Sequence, residues 1–337
     1  MPHSVKVRQL PRPLSVADGQ TILDAALAQG FDYPCGCQSG NCGACKSRLL
    51  SGRVEHAPFS EFALMEEEKA AGLILACRAM PLGDCEVAWV EADDTAMHPR
   101  REMTCRVVGI EDATHDIKIV RLAIETGGPF VFSAGQYAAL AFGSLPARDF
   151  SMANRPDEAV LEFHIRLVPG GAVSSFVATR LKVGDKVKAS GPLGISYWRE
   201  KHTGPIYALA GGSGLAPIKS IVETALKAGK MQPIRLYFGV RGERDIYLEK
   251  HFVALAAKHR NLTFIPVLSQ PDGATGRRTG NMADAVAKDV GSLDGAKVYI
   301  AGPPIMVETT VKALEPKGLK REHCHVDSFY TAADRPK

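Results

Sequence analysis

Four cysteines with an uneven spacing limit what this chain can fold into. Cys37 is followed after four residues by Cys42, after two more by Cys45, and after a further 31 residues by Cys77. Thiolates at this plant-type spacing hold the two irons of a [2Fe-2S] cluster. We therefore predict a [2Fe-2S] cluster in the first third of the chain, with these four cysteines as its metal ligands.

The glycines between the cysteines support the same prediction. Gly36, Gly40 and Gly43 permit backbone conformations that side chains would block, so that amide groups can approach the sulfurs. A structural zinc site or buried free cysteines are the alternatives, but zinc usually takes two short cysteine pairs. The remaining cysteines do not match the spacing, and we interpret them as small buried hydrophobic residues: Cys35, Cys85, Cys105 and Cys324.

Length and charge exclude several classes of protein. The 337 residues are enough for about two or three domains, and a net charge of +4 is too small and too dispersed for a nucleic-acid-binding surface. No apolar run approaches the roughly 18 residues that a membrane span needs. The N-terminal segment also lacks the pattern of a secretory signal. We expect a cytoplasmic monomer that binds neither nucleic acid nor membrane.

Hydrophobic patterning predicts three domains. Residues 1–92 alternate short strands, with LILACRAM (residues 73–80) predicted as one of them, with a helix that starts at Thr21, which indicates a small α+β unit. Residues 103–200 contain short β-rich runs separated by Gly and Pro, which is typical of an antiparallel β-barrel. Residues 201–337 alternate apolar strands with amphipathic helices, which predicts a doubly wound parallel sheet. Residues 91–102 are polar and lack periodicity, so we predict an exposed linker there.

The first domain is acidic. Residues 1–92 contain eight Lys/Arg and eleven Asp/Glu, a balance of −3, and Glu66, Glu67 and Glu68 form an acidic run. An acidic surface is one way to steer a redox partner into a weakly bound complex. A solvated helix face is an equally good interpretation of this run.

Two glycine-containing motifs in the later domains suggest binding of phosphate groups. Arg148 offers a planar fork to phosphate oxygens, and the turn that starts at Gly170 leads into a helix whose amides can bind an anion. Gly211, Gly212 and Gly214 follow a predicted strand and open a helix, although their spacing departs from GxGxxG. Taken alone, the first motif is better explained by a surface arginine and a plain turn, whereas for the triple glycine a plain turn is the weaker explanation.

The order of these motifs resembles a known family. The segment CQSGNCGAC with the distant Cys77 resembles the chloroplast-type ferredoxin domain over about residues 1–90. Residues 103–337 resemble the ferredoxin-NADP reductase superfamily through Arg148-x-Phe150-Ser151, Gly171-x-x-Ser174, GGSGLAP and YIAGPPIM. The whole chain is similar to the single-chain reductases of bacterial multicomponent oxygenases, such as the aromatic ring-hydroxylating dioxygenases. The resemblance implies a ferredoxin-like β-grasp domain, a barrel that binds FAD, and an α/β domain that binds NADH or NADPH.

The resemblance also implies roles for single residues around the flavin. Arg148 would bind the FAD pyrophosphate, Phe150 would pack on the flavin, and Ser151 would donate a hydrogen bond toward the flavin N5 atom. Gly171 and Ser174 would hold the FAD phosphates, and the aromatic residue Phe329 would lie close to the flavin. Ser151 and Phe329 are therefore the candidate catalytic residues.

The resemblance assigns the nicotinamide cofactor to the last domain. Its pyrophosphate would be held by Gly211, Gly212, Gly214 and Pro217, and its nicotinamide side would be lined by Gly302, Pro303, Pro304 and Met306. Two positions depart from the family pattern, because Phe150 stands where Tyr is usual and Ala301 where Cys is usual. These departures bear on the rate of hydride transfer and not on the identity of the cofactors.

Arg241 and Arg244 lie where a sheet of this kind meets the adenosine ribose. An arginine there accommodates a 2′-phosphate, whereas an acidic residue favours a 2′-hydroxyl, and the segment Arg241-Gly-Glu-Arg-Asp contains both. Solvated arginines are an equal alternative. On family habit we expect NADH, with NADPH left open.

The resemblance implies an electron-transfer reductase. Nicotinamides give up two electrons as hydride and iron–sulfur clusters accept one, so a flavin between them is required. We expect electrons to pass from NAD(P)H to FAD, to the [2Fe-2S] cluster and then to a terminal oxygenase. The alternatives are a reductase for another terminal enzyme, such as a deoxysugar dehydrase, and a redox carrier or sensor without efficient nicotinamide turnover.

Overall fold

The computed structural model describes residues 2–41, 43–61, 63–90 and 98–331. The chain divides into two compact units, Met1–Thr95 with Tyr330–Lys337, and Ala96–Phe329. Cys42 and most of the predicted linker, residues 91–97, lie outside the described residues. Among the helices that are described, none has the length and apolar character needed to cross a membrane.

The first unit is built on a mixed five-stranded sheet. The described strands of the unit are β1 (His3–Val7), β2 (Leu14–Val16), β3 (Lys46–Ser51), β4 (Val54–His56), β5 (Leu73–Leu75), β6 (Ala79–Pro81) and β7 (Cys85–Trp89), and its described helices are α1 (Ile22–Ala28) and α2 (Glu66–Ala70). The order in the sheet is β2-β1-β7-β3-β5, and β4 pairs with β6 separately. Strands β1 and β7 are parallel, whereas β1 and β2 form an antiparallel pair.

The predicted helix at Thr21 is confirmed. The Thr21 hydroxyl accepts a hydrogen bond from the Asp24 amide at 3.1 Å and so caps α1. Ile22 and Leu23 are buried in the core of the unit. One strand prediction is wrong: the segment LILACRAM forms two strands, β5 and β6, because the chain turns at residues 76–78. That turn brings Cys77 beside Cys45.

The barrel predicted for the second domain is confirmed. It contains β8 (Arg101–Asp112), β9 (Ile117–Thr126), β10 (Tyr137–Phe142), β11 (Arg148–Ser151), β12 (Val160–Arg166), β13 (Lys186–Leu193) and one helix, α3 (Ala172–Thr179). The strands are antiparallel in the order β11-β10-β13-β8-β9-β12, and a bridge between Met152 and Phe163 joins the two ends. The linker prediction is wrong at Arg101 and Glu102, which pair with β13 as part of β8.

The last part of the chain forms the predicted parallel sheet. Its elements are β14 (Ile206–Gly211), α4 (Leu215–Lys227), β15 (Ile234–Val240), α5 (Glu249–Lys258), β16 (Leu262–Leu268), β17 (Arg278–Thr279), α6 (Met282–Asp289), β18 (Lys297–Gly302), α7 (Pro304–Leu314) and β19 (Cys324–Ser328). The order is β17-β16-β15-β14-β18-β19. From β14 the chain adds β15, β16 and β17 on one side and then β18 and β19 on the other, so the strand order reverses between β14 and β18. Ligands of such sheets bind at that point, outside the carboxyl ends of the strands. Gly211 and Gly302 are the last residues of these two strands.

Candidate functional site

The cysteine loop of the first unit directs backbone amides at sulfur atoms. The amides of Ser39 and Asn41 donate to Sγ of Cys37 at 3.5 and 3.2 Å, and the amide of Cys77 donates to Sγ of Cys45 at 3.4 Å. Amide donors around thiolates stabilise their negative charge and tune an iron–sulfur centre. The donor set of Cys37, Cys45 and Cys77 therefore suits a cluster of the predicted type.

The shape of this loop depends on residues with positive φ angles. Gln38 has φ +53°, Gly40 has +78° and Gly43 has +73°. A Cβ on Gly40 would lie 2.8 Å from Cγ of Arg78 and 2.8 Å from Cβ of Phe59, so this position requires glycine. The hydroxyl of Tyr330 donates to the carbonyl of Asn41 at 3.3 Å. The sequence analysis missed this contact, since no motif near the chain end points to the cysteine loop.

The cysteines outside the motif differ from the predicted ligands in their surroundings. Cys85 and Cys105 are buried as predicted, and burial raises the pKa of each thiol to about 11. Cys35 and Cys324 are only partly buried. By contrast, a hydrogen bond involving Cys45 lowers the pKa of Cys77, although burial opposes it. The thiolate form that binds iron is therefore favoured at Cys77 and disfavoured at Cys85 and Cys105.

Strand β11 carries the motif assigned to the flavin. Arg148 is exposed, and its guanidinium donates only to the neighbouring Ala147 carbonyl among the described residues, which leaves most of its fork available to an anion. Phe150 is half-buried and packs edge-to-face on Phe142 with ring centroids 6.5 Å apart. Ser151 ends the strand and is buried.

Asp327 is a site residue that the sequence analysis missed. The Ser151 hydroxyl donates to Oδ2 of Asp327 at 2.7 Å. Burial raises the pKa of Asp327 to about 6, and the charge of Asp149 adds to the effect. A single aspartate in the last strand carries no local signal. Its position two residues before Phe329 is the only sequence feature that links it to the flavin motif.

Helix α3 begins at the turn assigned to the FAD phosphates. The Ser174 hydroxyl accepts from the amide of Val168 at 3.1 Å, and no side chain caps the helix at Gly171. The first amides of α3 are therefore available to an anion. A cavity of about 460 Å³ adjoins this helix, and its walls include Phe142, Leu145, Phe176 and Arg180.

The glycines assigned to the nicotinamide cofactor bring several segments into close contact. A Cβ on Gly211 would lie 2.4 Å from Sδ of Met306, and a Cβ on Gly214 would lie 2.1 Å from the carbonyl oxygen of Ala301. Gly302 has φ +149°, and a Cβ there would lie 3.0 Å from Cα of Gly211. These glycines thus serve packing at the carboxyl edge of the sheet as well as access for a ligand.

The other predicted residues of the nicotinamide site divide into two groups. Pro303, Pro304 and Met306 line the same edge of the sheet, and the amide of Phe329 donates to the carbonyl of Gly302 at 2.9 Å. Three predicted residues lie elsewhere: Pro217 is buried within α4, and Arg241 and Arg244 are exposed after β15.

Fold and sites together define a class of protein: a flavin- and iron–sulfur-dependent oxidoreductase with a nicotinamide domain. Residues 5–82 match the 2Fe-2S iron-sulfur cluster binding domain, residues 104–198 match the oxidoreductase FAD-binding domain, and residues 208–312 match the oxidoreductase NAD-binding domain. The predicted fold class and the predicted cofactors, a [2Fe-2S] cluster, FAD and NAD(P)H, are confirmed.

Relatives of known function cover nearly the whole chain. It is 40% identical over 321 residues, 95% of its length and 96% of the relative's, to the ferredoxin--NAD(P)(+) reductase component of the naphthalene 1,2-dioxygenase system of Pseudomonas putida. It is also 40% identical over 329 residues, 96% of its length and 97% of the relative's, to the aromatic O-demethylase reductase subunit of an Amycolatopsis species. The chain belongs to the family of single-chain reductase components of bacterial oxygenase systems.

A solved structure agrees with this assignment. The crystal structure of an Amycolatopsis cytochrome P450 reductase superimposes with a TM-score of 0.79 at 38% identity, and covers 98% of this chain and 99% of that chain. The protein is an NAD(P)H-dependent electron-transfer reductase.

Proposed function

We propose that this protein supplies electrons to a terminal oxygenase of the aromatic ring-hydroxylating type, with its three domains at residues 1–92, 103–200 and 201–337. The relatives' names support an oxygenase as acceptor, since one belongs to a naphthalene dioxygenase system. A cytochrome P450 is the second candidate acceptor, because the cytochrome P450 reductase from Amycolatopsis matches over the full length.

One observation carries the assignment of the flavin and nicotinamide site. The end of β19 and the residue that follows it contact both motifs. The carboxylate of Asp327 accepts from the hydroxyl of Ser151 in the flavin motif, and the amide of Phe329 donates to the carbonyl of Gly302 in the nicotinamide motif. Hydride transfer requires the two rings to meet closely, which demands that residues of both motifs converge. We propose Ser151 and Phe329 as the catalytic residues at this convergence.

The remaining predicted residues would hold the cofactors in place. Arg148 and the start of α3 at Gly171 and Ser174 would bind the FAD phosphates, and the adjoining cavity has room for the adenosine end. The nicotinamide cofactor would lie over the following residues, with Arg241 and Arg244 toward its ribose: Gly211, Gly212, Gly214, Gly302, Pro303, Pro304 and Met306. Pro217, buried within α4, would support this loop from behind and not touch the cofactor. When bound there, FAD would supply the conversion between two-electron hydride transfer from NAD(P)H and one-electron transfer to the cluster.

We propose Cys37, Cys42, Cys45 and Cys77 as the cluster ligands, downstream of the flavin. The order of electron transfer is tested with Cys77→Ser. This variant should still reduce ferricyanide with NAD(P)H through the flavin, while reduction of cytochrome c, a one-electron protein acceptor, should fall at least tenfold. Loss of both activities with FAD still bound would contradict the proposed order.

The terminal acceptor is tested by reconstitution. The purified protein is mixed with NADH and either the naphthalene dioxygenase components or a cytochrome P450 O-demethylase, and product formation is measured. Product formation with the dioxygenase supports the proposal, and product formation with the P450 alone supports the second candidate.

A further inference from the structure

One face of β12 lies outside the barrel core and is polar. Leu161, Phe163 and Ile165 point into the core of the barrel. Because side chains alternate along a strand, Glu162, His164 and Arg166 lie together on the opposite face. We call these three residues the polar face of β12.

The polar face of β12 contacts the nicotinamide domain at three places. Glu162 lies 3.3 Å from Nζ of Lys219 in α4. Nδ1 of His164 lies 2.9 Å from the hydroxyl of Tyr247. The guanidinium of Arg166, held by Asp116 at 2.7 Å, lies so close to Gly212 that a Cβ there would be 3.0 Å from its terminal nitrogen.

Tyr247 connects His164 to the glycine loop. Its hydroxyl donates to the carbonyl of Gly212 at 3.3 Å, and that carbonyl also accepts from the amide of Leu215. Both His164 and Tyr247 are only 4% exposed. A buried polar group that loses its partner costs free energy, so this chain of hydrogen bonds resists rearrangement.

The neighbouring groups determine which atoms of His164 and Tyr247 carry hydrogens. Burial lowers the pKa of His164 and raises the pKa of Tyr247, so at neutral pH the ring carries one N–H and the phenol keeps its proton. Glu162 already accepts from Lys219 at 3.3 Å and from Arg121 at 2.9 Å. Nε2 of His164 also lies 3.4 Å from Oε1 of Glu162, which as a carboxylate can only accept, so the ring hydrogen lies on Nε2 and Nδ1 accepts from Tyr247. The single hydrogen of the Tyr247 hydroxyl is then shared between Nδ1 of His164 at 2.9 Å and the Gly212 carbonyl at 3.3 Å.

The orientation of the Gly212 carbonyl determines that of the next amide. In a planar trans peptide the C=O of Gly212 and the N–H of Ser213 point in opposite directions. Gly212 has φ +55°, so it lacks the steric restraint that would otherwise limit rotation of this peptide. Two hydrogen bonds to the carbonyl supply the restraint instead.

We propose that Tyr247 is a positioning residue for the nicotinamide cofactor: anchored by His164 of the barrel, it holds the Gly212–Ser213 peptide in the orientation that binds the cofactor's diphosphate. The proposal rests on the assignment of this loop to the cofactor made above. It predicts that the barrel contributes to nicotinamide binding through residues that never touch the nucleotide.

The test compares Tyr247→Phe with a matched control. Tyr237→Phe also removes a hydroxyl from a buried tyrosine of the nicotinamide domain, but that hydroxyl donates to Asp289 at 3.0 Å and not to the glycine loop. Flavin reduction by NADH and NADPH is followed by stopped flow, which separates the dissociation constant from the limiting rate. Binding of ADP-ribose, which contains the diphosphate but no nicotinamide, is measured in parallel.

Tyr247→Phe should raise the dissociation constants of NADH, NADPH and ADP-ribose about three- to tenfold, the effect of one or two hydrogen bonds. The limiting rate of flavin reduction, the FAD content and the iron content should change less than about twofold, and Tyr237→Phe should bind all three ligands like the unchanged protein. Equal dissociation constants for Tyr247→Phe and the unchanged protein would overturn the inference. Failure of the unchanged protein to be reduced by either nicotinamide would overturn the proposed function instead.

If Tyr247→Phe loses its flavin, two substitutions of His164 test the same hydrogen-bonded connection to the glycine loop. Asn places an amide group near the position of Nδ1 and keeps a hydrogen-bond partner for the Tyr247 hydroxyl, whereas Leu removes it. His164→Asn should therefore bind ADP-ribose more tightly than His164→Leu, by about threefold or more. Equal binding by the two variants would contradict the role of the hydrogen bond.

Discussion

Ser151 and Asp327, separated by 176 positions in the sequence, share a hydrogen bond of 2.7 Å from the serine hydroxyl to Oδ2 of the carboxylate. The serine has only one hydroxyl hydrogen, so an ionised Asp327 retains it. A protonated Asp327 donates its own hydrogen to Ser151 and frees the serine hydrogen for another acceptor. The pair thus couples the direction of the Ser151 hydroxyl to the protonation of Asp327.

The raised pKa of Asp327 predicts a pH-dependent cost to stability. With a folded pKa of about 6 against an ordinary value of 3.8, the folded state binds more protons, so this carboxyl lowers the free energy of unfolding as pH rises from about 4 to 7. Asp327→Asn removes the buried charge and should stabilise the protein by about 1–3 kcal/mol at pH 8. Urea unfolding at pH 4, 6 and 8 measures the difference, which should shrink toward pH 4. A gain that is the same at all three pH values would contradict this origin.

Replacement of a cluster ligand should remove iron from the protein. Purified protein should be brown and contain about two irons per chain, and Cys77→Ser or Cys42→Ser should lose both. Cys35→Ser and Cys85→Ser are the controls, because neither cysteine belongs to the ligand spacing, and both should keep their iron. Iron and sulfide analysis together with the visible absorption spectrum measures the result. Full iron retention in Cys42→Ser would refute the ligand assignment.

The loop after β15 predicts that NADPH is used as well as NADH. Asp245 accepts from the amide of Gly242 at 2.9 Å, and Glu243 pairs with Arg277 at 2.8 Å, so both acidic side chains are engaged within the protein. Arg241 and Arg244 are exposed and have no side-chain partner in the described part of the chain. They are therefore available to a 2′-phosphate.

Steady-state kinetics with both nicotinamides tests the role of these arginines. Arg241→Ala and Arg244→Ala should each lower kcat/KM for NADPH by about tenfold, the loss of a charge-assisted hydrogen bond, and change kcat/KM for NADH less than about twofold. Arg260→Ala, another exposed arginine of this domain, should affect neither. An equal fall with both nicotinamides would place the arginines away from the 2′ position.

We predict two separate roles for the acidic run of the first unit. Glu68 binds Nζ of Lys46 at 2.6 Å and accepts from the amide of Met65 at 3.0 Å, so it holds α2 in place. Glu66 and Glu67 are exposed. Within this run, we expect Glu66 and Glu67 to be the residues that steer a redox partner by charge.

Salt dependence distinguishes the two roles of the acidic run. The double substitution Glu66→Gln and Glu67→Gln should slow second-order electron delivery to the terminal partner severalfold at low salt, and high salt should abolish the difference. The rate of ferricyanide reduction by this double variant should not change. Glu68→Gln should instead lower thermal stability with little effect on the salt dependence. A delivery rate that responds to neither salt nor charge removal would exclude steering by this surface.

Much of the fold is predictable from local patterns. The period of the apolar residues predicted every strand and helix of the parallel sheet except the two-residue β17 and the short turns, and Thr21 marked the start of α1. The wrong secondary-structure predictions fall where a local sequence pattern is compatible with two different structures. LILACRAM is apolar enough for one strand, but the tight turn at residues 76–78 divides it, and polar Arg101 and Glu102 extend β8 because β13 offers a pairing edge.

The cofactors of this protein follow from short motifs, because the chemistry of cluster ligands and glycine turns depends on spacing within a few residues. The distant groups that complete those motifs are brought to them by the folding of the chain. Asp327 reaches Ser151, and Tyr247 joins His164 to Gly212, because separate strands bring them together. Such contacts leave no periodic or spacing signal, since they depend on the register and packing of elements far apart in the chain.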